Sequence, residues 1–443
     1  MIKLLWVGDC NPSTGFGQIL DNIAPRLLAT GEFELVVLGV NYHGARHPYE
    51  GVHVYSTDSS DPYGFGAFPG VVETERPDVI FILQDVFACS PYIQFLKDRC
   101  PDVPLVLYFP IDGNSVPPSW RDCIRFATVP MAYSWYGHKM ICDLMPEMKD
   151  KLRMTYHGID HTNFYPDPVA REEAKRANNL VGRFVLGVVN RFQPRKLIPI
   201  ALRIFALMYH GYKKCQCGNY YLTSLDRCDL NNCGPEDIVG TVDPKKDMVI
   251  YLHMNLFERL MGGEHATVQM AAEAVGITEA DKCMLNPGVD LYGPHSPDKI
   301  AMNKMYNMLD CYMATDLGEG YGLTQVEALS CGLPIVKSQN TTAKELVGKF
   351  AYLAPSAGFC TMGYDSGHYR PIPNIPSMVE GVEAVYSRWK RDGKIDLSFE
   401  QHDYVVQNFN WDEKFPNFVK AIKDAIEIKQ NAQASPGAKV VEV

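Results

Sequence analysis

The 443-residue chain has no apolar run approaching the ~20 residues that a membrane-spanning helix needs. Its start, Met1–Val7, lacks the cationic region and long apolar stretch of a signal peptide and reads as a strand. There is no surplus of positive charge. Forty-two Lys and Arg face 52 Asp and Glu, and the net −10 argues against broad, non-specific binding to DNA or anionic lipid. Glycine and proline, 35 and 30 residues, stay near ordinary usage, which excludes collagen-like and low-complexity chains. What is there, 46% hydrophobic and 21% charged residues, fits a soluble cytoplasmic protein with no membrane anchor and two or three domains.

Thirteen cysteines are an odd number, and Cys10, Cys89, Cys123, Cys283, Cys311 and Cys331 lie in apolar segments, where they read as buried thiols of a reducing compartment. Cys215, Cys217, Cys228 and Cys233 are different. An even distribution would put fewer than one cysteine in so short a stretch, and the segment is rich in turn formers. The pattern C-x-C-x10-C-x4-C suits four thiolates around a tetrahedral structural zinc, although it departs from the usual paired C-x2-C; free or disulfide-prone thiols are the alternative. Four protein ligands leave no open position, so no catalytic metal is expected.

The first third alternates apolar runs (Ile2–Val7, Leu35–Val40, Val79–Leu83, Leu105–Phe109, Leu152–Tyr156) with helix-like segments such as Gln18–Ala29 and Pro91–Arg99. Such alternation means βαβ units and a parallel sheet, with ligands at the carboxyl ends of the strands. A polar stretch, Asp167–Asn179, reads as a linker carrying one exposed helical segment. The alternation restarts at Phe184–Val189 and continues through Met248–Leu252, Met284–Asn286, Tyr312–Thr315 and Ile335–Lys337. Three helical patterns, Ser377–Lys390, Ser398–Asn408 and Trp411–Lys429, close the chain. The expected fold class is α/β: two doubly wound Rossmann-like domains facing a cleft, 1–167 and 168–410. A small Cys-rich insertion at about 210–246 sits in the second domain, followed by a helix at 411–430 and a frayed tail at 431–443.

The strongest chemical signal runs from Asp316 to Val336, DLGEGYGLTQVEALSCGLPIV. A strand leads into Gly318, Gly320 and Gly322, and a helix pattern follows from Leu323. Backbone amides at such a helix start, aided by the helix dipole, form an anion site. Glu319 lies in the loop and Glu327 inside the helix, so the two carboxylates can address one ligand from different depths. The bland reading is a Gly-rich turn with one solvated and one capping glutamate. The loop Gly8–Gly17 also follows a strand and opens a helix, and Gly15 and Gly17 permit close backbone approach to a phosphate or an acceptor; a tight turn is the simpler alternative.

The Asp316–Val336 stretch closely resembles the E-x7-E signature of retaining glycosyltransferases of the two-Rossmann GT-B type, in particular the GT4 group. Three other segments are similar to that family in the same order: His157–Pro166 (HGIDHTNFYP), Val189–Lys196 (VNRFQPRK) and Phe409-Asn-Trp411, with Met305–Met313 matching the helix and strand ahead of the signature. The resemblance implies transfer of a sugar from a UDP- or GDP-sugar co-substrate. Arg191 and Lys196 would clamp the donor diphosphate, with the backbone of Gly320, Tyr321, Gly322, Leu323 and Thr324 on the same phosphates. Glu327 would take the ribose hydroxyls, Glu319 would sit against the donor sugar, and Gly15 and Gly17 would line the first-domain loop. No Asp-x-Asp occurs, in keeping with cations replacing the divalent metal used by the other main glycosyltransferase fold. One departure stands out: where many relatives carry a histidine after the strand Leu105–Phe109, this chain reads PIDG, placing Asp112 there. His157, His161 and His253 are the other candidates.

No basic, aromatic amphipathic helix is evident in the first domain, which disfavours a lipid and leaves a soluble acceptor. Ser13–Gly17 and Gly39–Gly44 resemble segments of virus-encoded relatives, which would place the protein in host cytoplasm and raise a nucleic-acid base as acceptor. Lys213, Lys214, Lys245 and Lys246 around the cysteines are compatible with DNA contact, while the net charge opposes it. The alternative is a catalytically silent nucleotide-sugar binding protein.

Overall fold

Strands that are apolar on both faces, rather than alternating, belong to sheets covered by helices on each side. The computed structural model, which describes residues 1–434 apart from 11–13, 45–50, 232, 256, 260–264, 286–298 and 363–367, contains two such sheets. The chain packs as two units, Met1–Gly158 with Met362–His368 and Phe409–Val443, and Ile159–Thr361 with Tyr369–Asn408.

In the first unit the strands are β1 (Ile2–Asp9), β2 (Phe33–Val40), β3 (His53–Tyr55), β4 (Val79–Leu83), β5 (Leu105–Phe109), β6 (Val129–Ala132) and β7 (Arg153–Met154). They form one parallel sheet in the order β3-β2-β1-β4-β5-β6-β7, so the winding direction reverses between β1 and β4. β6 was not among the expected strands because its sequence is Val-Pro-Met-Ala; Pro130 pairs in register with Leu107 without an amide to donate. The helix Trp411–Ala434 packs here, with Phe418 buried against Phe81 and Tyr108. A Cβ on Gly158 would lie 2.3 Å from Trp411 Cγ, so the glycine of HGID is required by the ring of FNW.

The second unit holds β8 (Phe184–Val189), the insertion strands β9 (Tyr212–Cys215), β10 (Tyr220–Leu222) and β11 (Ile238–Val242), and β12 (Met248–His253). An antiparallel pair, β13 (Phe257–Arg259) and β14 (His265–Thr267), comes next, then β15 (Met284–Leu285), β16 (Cys311–Ala314), β17 (Ile335–Ser338), β18 (Ala351–Ala354), β19 (Ser356–Cys360) and β20 (Arg370–Pro373). The main sheet is parallel in the order β15-β12-β8-β16-β17-β18 and reverses between β8 and β16. The insertion forms its own antiparallel sheet, β10-β9-β11. The helices Ile198–His210 and Ile375–Asp392 bury their apolar faces on the main sheet.

Three expectations need correction. The supposed linker with an exposed helix is a helix, Pro168–Ala177, whose Arg171 and Lys175 are buried and paired with the fully buried Asp310. Polar residues that looked solvated are there an internal ion cluster. Residues 431–434 continue the last helix, and the remainder of the expected tail, 435–443, lies outside the described residues. Residues 159–167 pack with the second unit, where Ser330 donates to the Phe164 carbonyl and Asn303 and Asn307 bond the backbone of Tyr165.

Candidate functional site

Two loops leave the carboxyl ends of β8 and β16, the adjacent strands at which the second sheet reverses. In open parallel sheets that is where ligands bind. The first loop runs Asn190–Leu197 through a turn of 3-10 helix at Pro194–Lys196; the second runs Thr315–Gly322 and opens the helix Leu323–Ser330. They are laced together. Thr315 Oγ1 donates to the Lys196 carbonyl at 3.0 Å, the Leu317 amide donates to the Arg195 carbonyl at 2.8 Å, and Arg195 donates to the Gly318 carbonyl at 3.1 Å. Gly322 holds φ = 88° at the helix N-cap, the left-handed conformation that glycine adopts without penalty.

Asp316 fixes the second loop from below. Its Oδ1 accepts from the Gly318 amide and Asn340 Nδ2, and its Oδ2 pairs with Lys337 on β17, both side chains being buried. Thr341 Oγ1 bonds both the amide (2.9 Å) and the carbonyl (2.8 Å) of Glu319. The Glu319 side chain is therefore presented by a backbone clamped on both sides.

Glu319 sits between two cations. Oε1 accepts from Lys196 Nζ, and Oε2 lies 3.3 Å from an Arg195 guanidinium nitrogen. Burial alone would raise its carboxyl, but Lys196, Arg195 and Lys337 outweigh that and hold it below the usual carboxylate range. Lys196 is pulled down to about 8, first by burial and then by Arg195, against the opposing pull of Glu319. Glu327 differs. It is buried, accepts from the Tyr306 hydroxyl at 2.7 Å, and burial pushes its carboxyl up to about 7.

Of the residues expected from sequence, the second unit brings Lys196, Glu319, Gly320, Tyr321, Gly322, Leu323 and Thr324 to one loop pair, with Arg191 half-buried in the first of those loops. Thr324 Oγ1 is 2.9 Å from the Tyr312 hydroxyl. Gly15, Gly17 and Asp112 belong to the first unit. The Gly17 amide there donates to Thr14 Oγ1, so it serves as the N-cap bond of the helix Gly15–Ala29. Residues 287–292, whose backbone the family resemblance would put beside the donor base, lie outside the described residues.

Sequence reasoning passed over Arg195, Tyr306, Lys337 and His368. Arg195 stood between the two cations that were singled out. His368 is buried beside Gly113, 3.1 Å from Ser115 Oγ, with its ring 4.5 Å from that of Trp120 and tilted to it, and no local pattern ties it to that turn. The other histidines separate as well. His157 is buried, bonds the Tyr108 hydroxyl, and is pushed down to about 3 by burial, so it is a neutral packing residue. His253, at the end of β12, is buried with neither ring nitrogen bonded among the described residues.

Two doubly wound parallel sheets in successive units, the second carrying this loop pair at its reversal, make the GT-B fold of glycosyltransferases. Residues 270–366, which include Glu319, Glu327 and Lys337, match the family model described as glycosyl transferases group 1. No curated protein sequence matches the chain. Solved structures agree over nearly the full length. The chain is 16% identical to Anabaena Alr3699/HepE in complex with UDP, with a TM-score of 0.63 over 96% of this chain and 100% of that one. A glycosyltransferase from Rickettsia africae gives 11% and 0.64 over 96% and 99%, and sucrose-phosphate synthase from Thermosynechococcus elongatus gives 11% and 0.63 over 99% and 100%.

Proposed function

We propose that the protein is a retaining glycosyltransferase of GT4 type that moves a sugar from a nucleotide-sugar donor to a soluble acceptor. The observation that carries this reading is the ionised Glu319 held between Lys196 and Arg195 at the reversal point of the second sheet, beside a glycine loop that opens a helix. A diphosphate needs cations and amide donors; an oxocarbenium-like centre needs a fixed carboxylate. Arg191, Lys196 and the backbone of Gly320–Thr324 hold the diphosphate. Glu327 meets the ribose hydroxyls and Glu319 meets the sugar. The C1–O bond to phosphate breaks with its electron pair going to the β-phosphate oxygen. The acceptor oxygen bonds C1 on the same face, and its proton passes to that phosphate oxygen. No step uses a metal. A UDP-sugar is the first donor to try, since HepE has been solved with UDP, with UDP and glucose, and with UDP-glucose.

The test is a thermal-shift screen against UDP-, GDP-, ADP- and TDP-sugars followed by turnover. A ligand at 100 times its dissociation constant adds about 2.7 kcal/mol, a readable shift. Stabilisation with turnover supports the reading, stabilisation without turnover supports the silent binder, and no stabilisation refutes the donor site. A nucleic-acid acceptor has less support. Among the lysines near the cysteine cluster, Lys213 Nζ donates to the Leu225 carbonyl, Lys245 pairs with Glu383, and Lys214 lies over the Tyr220 ring. Absence of a gel shift with single- and double-stranded DNA at about 50 mM salt removes that acceptor.

A further inference from the structure

One face of the insertion's sheet, β10-β9-β11, packs on the core of the second unit through Tyr212, Tyr220, Leu222 and Val242. The opposite face has little apolar cover among the described residues: Cys215, Tyr221 and Cys228 are buried there, with Cys233 and Ile238 packed at their edge. Three strands of three to five residues leave too little apolar volume on that face to order the loops that cross it. What fills that face is sulfur.

The four cysteine sulfurs all lie within 4.8 Å of one another. Cys217 and Cys228 Sγ are 3.7 Å apart. A disulfide needs about 2.0 Å; the edge of a tetrahedron of sulfurs at about 2.3 Å from a zinc ion is about 3.8 Å. The ligands come in two pairs from different connections. Cys215 and Cys217 flank the turn from β9 to β10, where Gly218 takes φ = 87°, and Cys228 and Cys233 lie in the connection to β11, tied by a bond from the Cys228 amide to the Cys233 carbonyl. A donor is already aimed at the sulfurs: Asn219 Nδ2 lies 3.3 Å from Cys228 sulfur. Such a donor delocalises the charge of a metal-thiolate centre and orients its ligands.

We propose that Cys215, Cys217, Cys228 and Cys233 bind one zinc ion as a closed tetrathiolate, and that this ion is the core of the insertion. Each thiol loses its proton to solvent as its sulfur–zinc bond forms. With four protein ligands the site has no open position, so its role is structural. The folded insertion is in turn fastened to the second unit: Arg203 of the helix Ile198–His210 pairs with Asp229, and the Tyr220 hydroxyl donates to Glu380 of the helix Ile375–Asp392 at 2.6 Å. Zinc thereby anchors a small sheet on two helices that cover the main one.

The test uses the full chain, expressed with zinc in the medium and purified under reducing conditions. Elemental analysis is expected to give about one zinc per chain, and exchange into cobalt(II) the visible and sulfur-to-metal bands of a tetrahedral thiolate site. Cys215→Ser with Cys228→Ser is expected to bring the metal content near zero, while Cys283→Ser, a buried cysteine outside the cluster, keeps it near one. Zinc near zero in the wild-type chain, a cobalt spectrum without thiolate bands, or a disulfide among the four cysteines by mass spectrometry would each overturn the proposal. Because the wild-type measurement decides it, a variant that fails to fold leaves the proposal equally exposed.

Discussion

Glu319 and Glu327 belong to one motif, yet their surroundings drive them apart. Glu319 is buried among three cations and stays ionised, whereas Glu327 is buried beside a tyrosine and is pushed up to about 7. For Glu327 the folded value exceeds the unfolded one, so its contribution to stability is present below about pH 4.5 and is lost as pH rises through about 7. Glu327→Gln is expected to abolish that loss. Between pH 5 and 8 the variant should gain up to about 3 kcal/mol relative to wild type in urea unfolding, and parallel pH profiles would contradict the assignment. Lys196, pulled down to about 8, loses its proton in the range where a phosphate ligand needs it. UDP affinity should therefore fall as pH rises through about 8, by up to tenfold per unit, and Lys196→Arg should flatten the profile in a calorimetric titration. The places of Glu319 in a loop, Glu327 in the helix after it and Lys196 beyond β8 were legible because the order of strand, loop and helix is local. Arg195 was visible in the same string but not distinguishable from its neighbours, since only the fold decides which guanidinium reaches Glu319. His368 could not be found at all, because the contact that buries it spans 253 residues to Ser115.

Elements were read well where a run was apolar on both faces, as in β1, β4, β5 and β8, and poorly where polarity hid burial. The helix Pro168–Ala177 is the clearest case. Its charged residues suggested a solvated linker, but Arg171 and Lys175 converge on Asp310, which also accepts from the Val185 amide at the start of β8. Asp310→Asn would leave two buried cations short of a counter-charge, and a destabilisation of about 3–5 kcal/mol is expected in denaturant unfolding. A change under 1 kcal/mol would show that the cluster is hydrated. The closing helix offers a second test. A methyl group on Gly158 meets the Trp411 ring and backbone, so Gly158→Ala should cost about 1–3 kcal/mol, whereas Gly70→Ala, where a Cβ meets nothing, should leave the core packing untouched.

At the scale of the molecule, alternation of strands and helices was enough to anticipate two parallel sheets, because a parallel sheet must be wound with crossovers and buried on both faces. The strand order, and with it the reversal at β8 and β16 that locates the site, is a tertiary fact that no run of residues records. The net charge of −10 says nothing of this place, where Lys196, Arg195 and Lys337 stand against the carboxylates of Glu319 and Asp316. No helix among the described residues is long and apolar enough to cross a membrane. The proposed role of Glu319 and its cations, action on a nucleotide-sugar donor, is tested most directly by release of nucleoside diphosphate from a panel of UDP- and GDP-sugars by the wild-type chain and by Glu319→Gln. Release from at least one donor by the wild-type chain is expected, with a loss of about 100-fold or more in the variant. Equal release by both proteins, or none from any donor, would contradict it.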